Sequence, residues 1–407
     1  MQCGLLGNRL GHSYSPQIHS YLGNYEYDLF EKTPDELPAF LKFGEFFGLN
    51  VTIPYKKDVL PYCDELSELA RELGAVNTLV RKSNGKLVGH NTDYFGFQSL
   101  LKKSKLQVAG KKVLVLGSGG ASVTAVAVLK RNGANVVVIS RSGDNNYQNL
   151  DFHSDASVIV NTTPVGMYPL VGMSPVNLAL FPNLEGVLDV IYNPARTQLL
   201  LEAESRGLIA ENGLWMLVAQ AKESAEWFLG HEISDEVIPK IHNILQKQMQ
   251  NIVLIGMPGC GKSTIGSMLA EKLSRKFVDI DAEIVHAAGM SVPEIFQLYG
   301  ENGFRKIESQ VLAQFGKESG LVIATGGGCV TRPENYLLLH QNGRIIWIKR
   351  TLQSLPTEGR PLSAKNRLED MYEIRKPLYE HFSDDSVDND GTVDETISKI
   401  ITMEDNS

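Results

Sequence analysis

The clearest chemical pattern in the chain is a glycine-rich segment that ends in a lysine and a serine, Gly256-Met-Pro-Gly-Cys-Gly-Lys262-Ser263. It follows the apolar stretch 251–255 and precedes a helical pattern over 265–273. Glycines at this spacing let backbone N–H groups converge on phosphate oxygens, and the start of a helix adds partial positive charge. Lys262 would reach the β and γ phosphates, and Ser263 would hold Mg²⁺. The segment predicts a nucleoside triphosphate site made of Gly259, Cys260, Gly261, Lys262, Ser263 and Thr264.

Residues that suit phosphoryl transfer follow this segment. Asp279 and Asp281 stand two residues apart at a predicted strand end, where one carboxylate could serve the metal and the other an acceptor hydroxyl. Beyond them come an ion-pair pattern, a glycine run and two arginines: Arg305 and Glu308, Gly326–Gly328, Arg360 and Arg375. Each group has an ordinary alternative, such as a solvated strand end, a surface ion pair or a turn.

A second glycine-rich turn, Gly117-Ser118-Gly119-Gly120-Ala121, lies between the apolar stretch 113–116 and a predicted helix over 122–131. Alone it is a weak indication of a dinucleotide site, because its spacing departs from the usual pattern at Ser122. The next predicted strand ends in Ser140-Arg141-Ser142, where NAD-preferring sites usually carry an acid. A guanidinium and two hydroxyls suit a 2′-phosphate, which favours NADP. The alternative is that Arg141 is an ordinary exposed arginine.

Polar residues over 1–100 supply candidate chemistry for the same half of the chain. They are hydroxyls, an amine, an amide and a carboxylate near predicted strand ends or loops: Ser13, Ser15, Thr52, Lys56, Asn77 and Asp93. The ordinary alternatives are that the serines form turns and that Lys56 is a solvated lysine beside Lys57. Thr92 or Asp93 would then simply cap a predicted helix over 94–102.

The elements that position these residues predict an α/β protein. Over 1–100, short β-like stretches mix with helical patterns such as 63–73. Over 110–210, apolar strands alternate with helices, as in parallel α/β folds, at 112–116, 136–140, 158–161 and 186–190. Helical periodicity over 213–246 leads through the short polar join 246–250 into a strand at 251–255 and another α/β unit.

Composition narrows the function classes. With 407 residues, 43% hydrophobic and 21% charged, the chain suits two to four folded domains. A net charge of −8 leaves no basic surplus for nucleic acid. The four cysteines form no C-x-x-C pair, which argues against a zinc site and suits a reducing compartment. We find no signal-peptide pattern and no apolar run long enough for a membrane span, so we expect no membrane partner and a cytoplasmic location.

From Asn251 to about Ile401 the chain resembles the shikimate kinase family in the order of the residues described above. The resemblance implies a P-loop domain over 251–407 with a parallel sheet, similar to nucleoside monophosphate kinases. Lys262 and Ser263 would bind ATP and Mg²⁺, and Asp279 would support the metal. The remaining implied roles are acceptor binding by Asp281, carboxylate binding by Arg305, Arg375, Gly327 and Gly328, and a lid arginine at Arg360. The segment 349–363 is shorter than a typical lid.

From Met1 to about Leu245 the chain resembles the shikimate dehydrogenase family, including the strings Asn161-Thr-Thr-Pro-Val-Gly-Met167, Asp189-Val-Ile-Tyr192-Asn-Pro194 and Gly213-Leu-Trp. The implied domains are a substrate domain over 1–100, completed by 213–245, and a Rossmann-type NADP domain over 101–212. Ser13 and Ser15 would bind the substrate carboxylate. Thr52, Asn77, Tyr192 and Gln220 would surround the ring. Lys56 and Asp93 would be the catalytic pair. The cofactor would lie against the turn 117–121, Ser140–Ser142, Thr162 and Gly213. Tyr94 departs from the family, which more often has glycine there.

Two chemical roles remain open for Lys56. As a neutral amine it could take the alcohol proton directly, at a cost of roughly 4 kcal/mol in differential stabilisation. As a cation it could stabilise the developing alkoxide while Asp93 shares the proton. The adjacent carboxylate opposes loss of the positive charge, so the second role costs less.

The sequence thus predicts a bifunctional enzyme that uses NADPH to reduce 3-dehydroshikimate and ATP with Mg²⁺ to phosphorylate shikimate at its 3-hydroxyl. Its expected partners are small-molecule substrates, and the oligomeric state is not predicted. Two alternatives stay open: a quinate/shikimate dehydrogenase in the first half, or a metabolite sensor that keeps both folds without turnover.

Overall fold

The computed structural model of the protein describes residues 1–11, 13–355 and 365–405. By their internal contacts the residues form two compact units. The first comprises Met1–Gly166, Met173–Tyr192 and Glu202–Ile244, and the second comprises Met167–Gly172, Asn193–Leu201 and Leu245–Ser407. Within the described ranges, no helix is both long enough and apolar enough to cross a bilayer.

The N-terminal part of the first unit is a mixed sheet with helices around it. Its elements are β1 (Gln2–Gly7), α1 (Ser15–Leu22), β2 (Glu26–Glu31), α2 (Leu37–Phe43), β3 (Gly48–Val51), β4 (Glu65–Leu66), α3 (Glu68–Leu73), β5 (Thr78–Arg81), β6 (Leu87–His90) and α4 (Asp93–Ser104). The strand order is β2-β1-β3-β5-β6-β4, and β5 runs antiparallel to its two neighbours. The strands β3 and β6 are buried along their whole length, so the polar residues at their ends are held at fixed positions in the fold.

The helix expected over 63–73 is shorter than predicted. Residues 65 and 66 pair with β6 instead, and α3 begins at Glu68. The physical reason is a cap, since the Ser67 hydroxyl accepts a hydrogen bond from Ala70 N and starts the helix there.

The second part of the first unit is the predicted parallel α/β fold. The elements over 112–249 are β7 (Lys112–Leu116), α5 (Gly120–Arg131), β8 (Asn135–Ile139), β9 (Val158–Asn161), β10 (Gly186–Asp189), α6 (Gln198–Ser205), β11 (Ile209–Glu211), α7 (Leu214–Leu229) and α8 (Val237–Met249). The first residues of α6 and the last residues of α8 belong to the second unit. The strands pair in the parallel order β11-β10-β9-β7-β8. The helix α7 packs against α4, and a Cβ at Gly96 would come within 2.8 Å of Met216 O, so glycine permits this approach.

The second unit has its own parallel sheet. Its elements from the join onwards are β12 (Asn251–Ile255), α9 (Lys262–Lys272), β13 (Phe277–Asp279), α10 (Ile280–Ala288), α11 (Val292–Gly316), β14 (Val322–Ala324), α12 (Glu334–His340), β15 (Gly343–Lys349), α13 (Lys365–Phe382), β16 (Asp385–Asp388) and α14 (Val393–Asp405). The strand order is β13-β14-β12-β15-β16. A single residue, Gln250, separates the end of α8 from the start of β12, which confirms the prediction of a helix end that leads straight into a strand.

Candidate active sites

Lys56 and Asp93 form an ion pair in the first unit. Lys56 Nζ donates to Asp93 Oδ2 over 2.5 Å, and the two side chains are 23% and 9% exposed. Asp93 is the first residue of α4, where the helix dipole favours a carboxylate. The residue before it, Thr92, makes no side-chain cap. A solvated lysine and a simple helix cap are therefore wrong descriptions of these residues.

The glycine-rich turn between β7 and α5 lies beside this pair. A Cβ at Gly120 would come within 3.8 Å of Lys56 Cδ. Gly117 has a φ of 107°, a conformation that glycine adopts without strain, and a Cβ there would lie 2.9 Å from Thr162 Oγ1. Around Gly119 a Cβ would meet nothing within 4 Å. The turn is therefore an open cradle at the start of a twelve-residue helix, which suits a dinucleotide pyrophosphate next to the Lys56–Asp93 pair.

Two of the predicted ring-binding side chains, Asn77 and Gln220, are near one another. Asn77 Oδ1 accepts from Thr92 N at 2.7 Å, so its Nδ2 faces Thr92 Oγ1 at 2.9 Å and Gln220 Oε1 at 3.4 Å. Thr92 directly precedes Asp93, so Asn77 and Gln220 lie around the start of α4 with the acidic member of the pair. Thr52 lies at the end of β3, where its backbone N–H donates to Leu6 O at 2.9 Å.

The predicted carboxylate-binding residues Ser13 and Ser15 lie on either side of Tyr14, which is a neighbour of the predicted ring contact Tyr192. Ser13 Oγ accepts from Ser15 N at 3.2 Å, and Ser15 is largely buried at the start of α1. The Tyr192 ring packs edge-on against the Tyr14 ring, with 6.3 Å between centroids. Burial raises the pKa of the Tyr192 hydroxyl, with the neighbouring Tyr14 adding to the effect. Tyr192 is thus a neutral hydrogen-bonding group at physiological pH.

The remaining predicted cofactor residues follow β8, β9 and β10. Ser140, Arg141 and Ser142 form a turn after β8, in which Arg141 and Ser142 are exposed. Thr162 follows β9 and donates from Oγ1 to Leu116 O at 2.6 Å. Gly213 N donates to Ile191 O at 2.9 Å, and a Cβ there would overlap the backbone of Val190. Gly213 is therefore required for the close passage of two chain segments beside Tyr192.

In the second unit, the segment 256–263 has the geometry of a phosphate-binding loop. Gly256, Gly259 and Gly261 all have positive φ. The Lys262 ammonium is buried and donates to Gly256 O at 2.9 Å and to Met257 O at 3.0 Å. Ser263 Oγ donates to Asp279 Oδ2 at 2.6 Å. A hydroxyl and a carboxylate oxygen are ligands that Mg²⁺ prefers, so these residues fit the predicted metal.

Asp279 and Asp281 do not lie on one side of a strand end, as the sequence had predicted. Asp279 ends β13 and caps α10 by accepting from Ala282 N at 3.2 Å, whereas Asp281 lies in the first turn of α10. The cap starts the helix one residue after Asp279, and strand alternation therefore does not apply to Asp281. Their side chains still diverge, one towards Ser263 and the other towards the glycine run.

The predicted substrate residues of the second unit converge on Gly326–Gly328. A Cβ at Gly326 would come within 2.8 Å of both Asp281 Oδ1 and Glu308 Oε1. A Cβ at Gly328 would overlap the guanidinium of Arg305, and one at Gly327 would come within 2.6 Å of Pro258 in the phosphate loop. Asp281, Arg305 and the phosphate-binding loop therefore meet at the glycine run that follows β14.

Arg305 and Glu308 form a buried pair rather than a surface one. Their 2.8 Å contact joins side chains that are 9% and 0% exposed. Burial raises the pKa of Glu308, with Asp281 adding to the effect, while Arg305 opposes both. Such a pair holds the guanidinium in a fixed orientation, as binding of a planar carboxylate requires.

Arg375 and a residue without an assigned role, Tyr379, both bind the glycine run. Arg375 Nη1 donates to Gly327 O at 3.0 Å, and the Tyr379 hydroxyl donates to the same oxygen at 2.5 Å. Tyr379 lies one helical turn after Arg375 on α13, and this spacing could have indicated it. Asn389 is also without an assigned role, and its Nδ2 donates to Cys260 O of the phosphate loop at 2.8 Å. Arg360 lies outside the described residues.

Comparisons with known proteins give a family match for each half of the chain. Residues 5–79 match the family model for the shikimate dehydrogenase substrate binding domain, and residues 258–404 match that for shikimate kinase. A curated relative from Clostridium beijerinckii, named shikimate dehydrogenase (NADP(+)), is 33% identical over 267 residues, which cover 61% of this chain and 98% of the relative. The chain belongs to the shikimate dehydrogenase family. Its C-terminal part carries, in addition, a shikimate kinase domain.

Two solved structures bear on the dehydrogenase half. Shikimate 5-dehydrogenase from Thermus thermophilus, in complex with NADP(H) and shikimate, is 29% identical with a TM-score of 0.55, and covers 60% of this chain and 99% of its own. Quinate dehydrogenase from Corynebacterium glutamicum, in complex with NAD, is 27% identical with a TM-score of 0.54, and covers 60% and 98%. Both support the Rossmann-type fold of this shikimate dehydrogenase.

Proposed function

We propose that the chain catalyses two reactions on one small acid. Its shikimate dehydrogenase half reduces 3-dehydroshikimate to shikimate with NADPH, and its shikimate kinase half transfers phosphate from ATP to the 3-hydroxyl of shikimate. The observation that carries the proposal is that, in each half, the proposed catalytic residues lie next to glycine-rich backbone of the proposed nucleotide site. Lys56 and Asp93 lie beside Gly120, and Asp281 lies beside the glycine run that contacts the phosphate loop.

In the dehydrogenase half, the dinucleotide supplies a hydride to the C3 carbonyl carbon. Lys56, as a cation, would stabilise the negative charge that develops on the C3 oxygen. Asp93 would share the proton that this oxygen takes up, and would orient the ammonium through the 2.5 Å contact. We favour the cationic role because a neutral Lys56 would leave the largely buried Asp93 without its counter-charge. Ser13 and Ser15 would bind the carboxylate, while Thr52, Asn77, Tyr192 and Gln220 would surround the ring.

In the kinase half, Mg²⁺ would neutralise charge on the transferring phosphate. Ser263 and Asp279 would hold the metal, and Lys262 would exchange its contacts with Gly256 O and Met257 O for phosphate oxygens. Asp281 would accept the hydrogen bond of the 3-hydroxyl and orient its oxygen for attack. Arg305, Arg375, Gly327 and Gly328 would bind the carboxylate, and we propose that Arg360 covers the phosphate.

We further propose that Arg141, Ser140 and Ser142 bind the 2′-phosphate of NADP. The exposure of Arg141 after β8 supports this, because a guanidinium at that place needs space for a ligand. We retain the predicted domain boundaries of 1–100 with 213–245, 101–212 and 251–407, and a cytoplasmic location, as part of the proposal.

The test measures both reactions on the full chain. We expect NADP⁺ reduction with shikimate, weaker reduction with NAD⁺ or quinate, and ATP-dependent formation of shikimate 3-phosphate. Turnover with quinate and NAD⁺ above that with shikimate and NADP⁺ would favour the quinate dehydrogenase alternative, for which the Corynebacterium glutamicum structure provides a precedent. Binding of shikimate without either turnover would support the sensor.

A further inference from the structure

Ser224 lies on α7 one helical turn after Gln220 and has no exposed surface. Its hydroxyl oxygen is within hydrogen-bonding distance of four groups. They are Asn50 Nδ2 at 2.7 Å, Thr92 Oγ1 at 2.8 Å, Thr78 Oγ1 at 2.9 Å and Gln220 O at 2.9 Å. A single buried hydroxyl thus connects α7 to β3, to β5 and to the start of α4.

The direction of these bonds follows from the donors and acceptors present. The Gln220 carbonyl must accept, so Ser224 donates its proton there, and the Asn50 amide must donate to the Ser224 oxygen. The second lone pair of Ser224 accepts from Thr92. Thr92 Oγ1 in turn accepts from Asn77 Nδ2, whose orientation is set because Asn77 Oδ1 accepts from Thr92 N. Every donor is then paired, including Thr78, which reaches Asn77 Oδ1 at 3.3 Å.

The bonds of Ser224 end on residues that the proposed function places around the substrate. Gln220 carries the carbonyl that Ser224 binds, Asn77 is held through Thr92, and Thr92 immediately precedes Asp93. On the other side Asn50 Oδ1 accepts from the Tyr27 hydroxyl at 2.7 Å. Among the described residues, Ser224 makes no hydrogen bond to Lys56 or Asp93, so its effect would act through its neighbours.

Resting on the proposed dehydrogenase function, we propose that Ser224 is a positioning residue. It holds α7 in register with the sheet and with α4, so that the amides of Gln220 and Asn77 face the substrate ring while Asp93 faces Lys56. Its removal takes away the shortest hydrogen bonds of the Asn50 amide and the Thr92 hydroxyl. These groups would turn to longer contacts, such as that of Thr92 Oγ1 with Thr78 Oγ1 at 3.2 Å, and change orientation. Shikimate contacts should weaken more than those of the dinucleotide, whose cradle follows β7.

The experiment compares Ser224→Ala with Ser104→Ala in the full chain. Ser104 is a matched control, since it is also a buried helix serine of the first unit and donates within its own helix to Leu101 O at 2.8 Å. We expect Ser224→Ala to lower kcat/KM for shikimate about tenfold or more. The KM for NADP⁺ and the kinase activity of Ser224→Ala should stay within about twofold of those of the unsubstituted chain. Ser104→Ala should leave every one of these parameters within the same margin.

The outcomes separate this inference from the proposed function. If the unsubstituted chain does not reduce NADP⁺ with shikimate, the proposed function fails. If it does and Ser224→Ala behaves like Ser104→Ala, the positioning role alone is wrong. A lower apparent kcat with both KM values unchanged would assign Ser224 to stability only, because unfolding reduces the amount of active enzyme. Should Ser224→Ala be insoluble, Ser224→Cys keeps a weak donor of similar size, and the same unequal change of the two KM values is expected.

Discussion

Replacing Lys56 by alanine removes, in one step, the cation that would stabilise the developing alkoxide and the counter-charge of Asp93. Lys56 Nζ lies 2.5 Å from Asp93 Oδ2, and loss of a positioned acid or base typically costs 10²–10⁴-fold in rate. We therefore expect kcat/KM for shikimate to fall by roughly that factor, which corresponds to about 3–5 kcal/mol of transition-state stabilisation. The unpaired Asp93 should also lower the free energy of unfolding by about 1–3 kcal/mol, the usual cost of a lost charged hydrogen bond.

The assay measures both activities of the same preparation, at a temperature well below the lowered melting point. Lys57→Ala is the matched control, because Lys57 is the exposed neighbour and should leave both activities unchanged. Kinase turnover of the Lys56→Ala chain should stay near that of the unsubstituted chain, since the phosphate loop lies in the second unit. A dehydrogenase rate equal to that of Lys57→Ala would refute the role of Lys56. Parallel loss of kinase activity in folded protein would refute the modular organisation.

Three further changes test other parts of the structure. Arg141→Ala should raise the KM for NADP⁺ about tenfold or more and leave that for NAD⁺ nearly unchanged, because NADP alone carries the 2′-phosphate; equal effects would make Arg141 structural. Asp279→Asn keeps the helix cap but weakens a metal ligand, so the Mg²⁺ concentration for half-maximal kinase activity should rise several-fold; Glu283→Gln, in the same helix turn, should not change it. Burial and the neighbouring Glu226 raise the pKa of Glu223 from 4.5 to about 7. The folded chain therefore binds a proton that the unfolded chain has lost, and the free energy of unfolding should fall as pH rises between these values. Glu223→Gln should flatten this part of the stability profile measured by urea denaturation, and an unchanged slope would contradict the assignment.

Much of the fold could be predicted because its signals are local. The alternation of apolar strands and helices over 110–210 reflects neighbouring residues that are buried on a parallel sheet, and the observed strands lie within a residue or two of the predicted ones. The signal for the phosphate loop is equally local, since its glycines, Lys262 and Ser263 lie within eight consecutive residues, 256–263. The errors arise where a cap decides the boundary. Ser67 and Asp279 each start a helix by a side-chain hydrogen bond that apolar periodicity does not register.

The supporting residues could not be predicted, because their partners are distant in the chain. Ser224 bonds to Asn50 across 174 positions, and Asn389 bonds to Cys260 across 129. Nothing in the local sequence of a helix serine separates Ser224 from Ser104, whose hydroxyl bonds to the nearby backbone at Leu101 O and Leu106 N.

Two short segments, Met167–Gly172 and Asn193–Leu201, belong to the second unit although the residues on either side of them belong to the first. The second segment joins its unit through Ala195 N, which donates to Asn342 Oδ1 at 2.7 Å, and through Arg196 N, which donates to Gln341 O at 2.8 Å. In the chain, however, Asn193 directly follows Tyr192, which we place at the shikimate ring. Chain position alone therefore does not determine to which unit a residue belongs. A motif predicts the side chains that contact a ligand, because the chemistry limits their type. The residues that hold those side chains in place are limited by geometry alone, so many residue types satisfy the requirement and the sequence carries no comparable pattern.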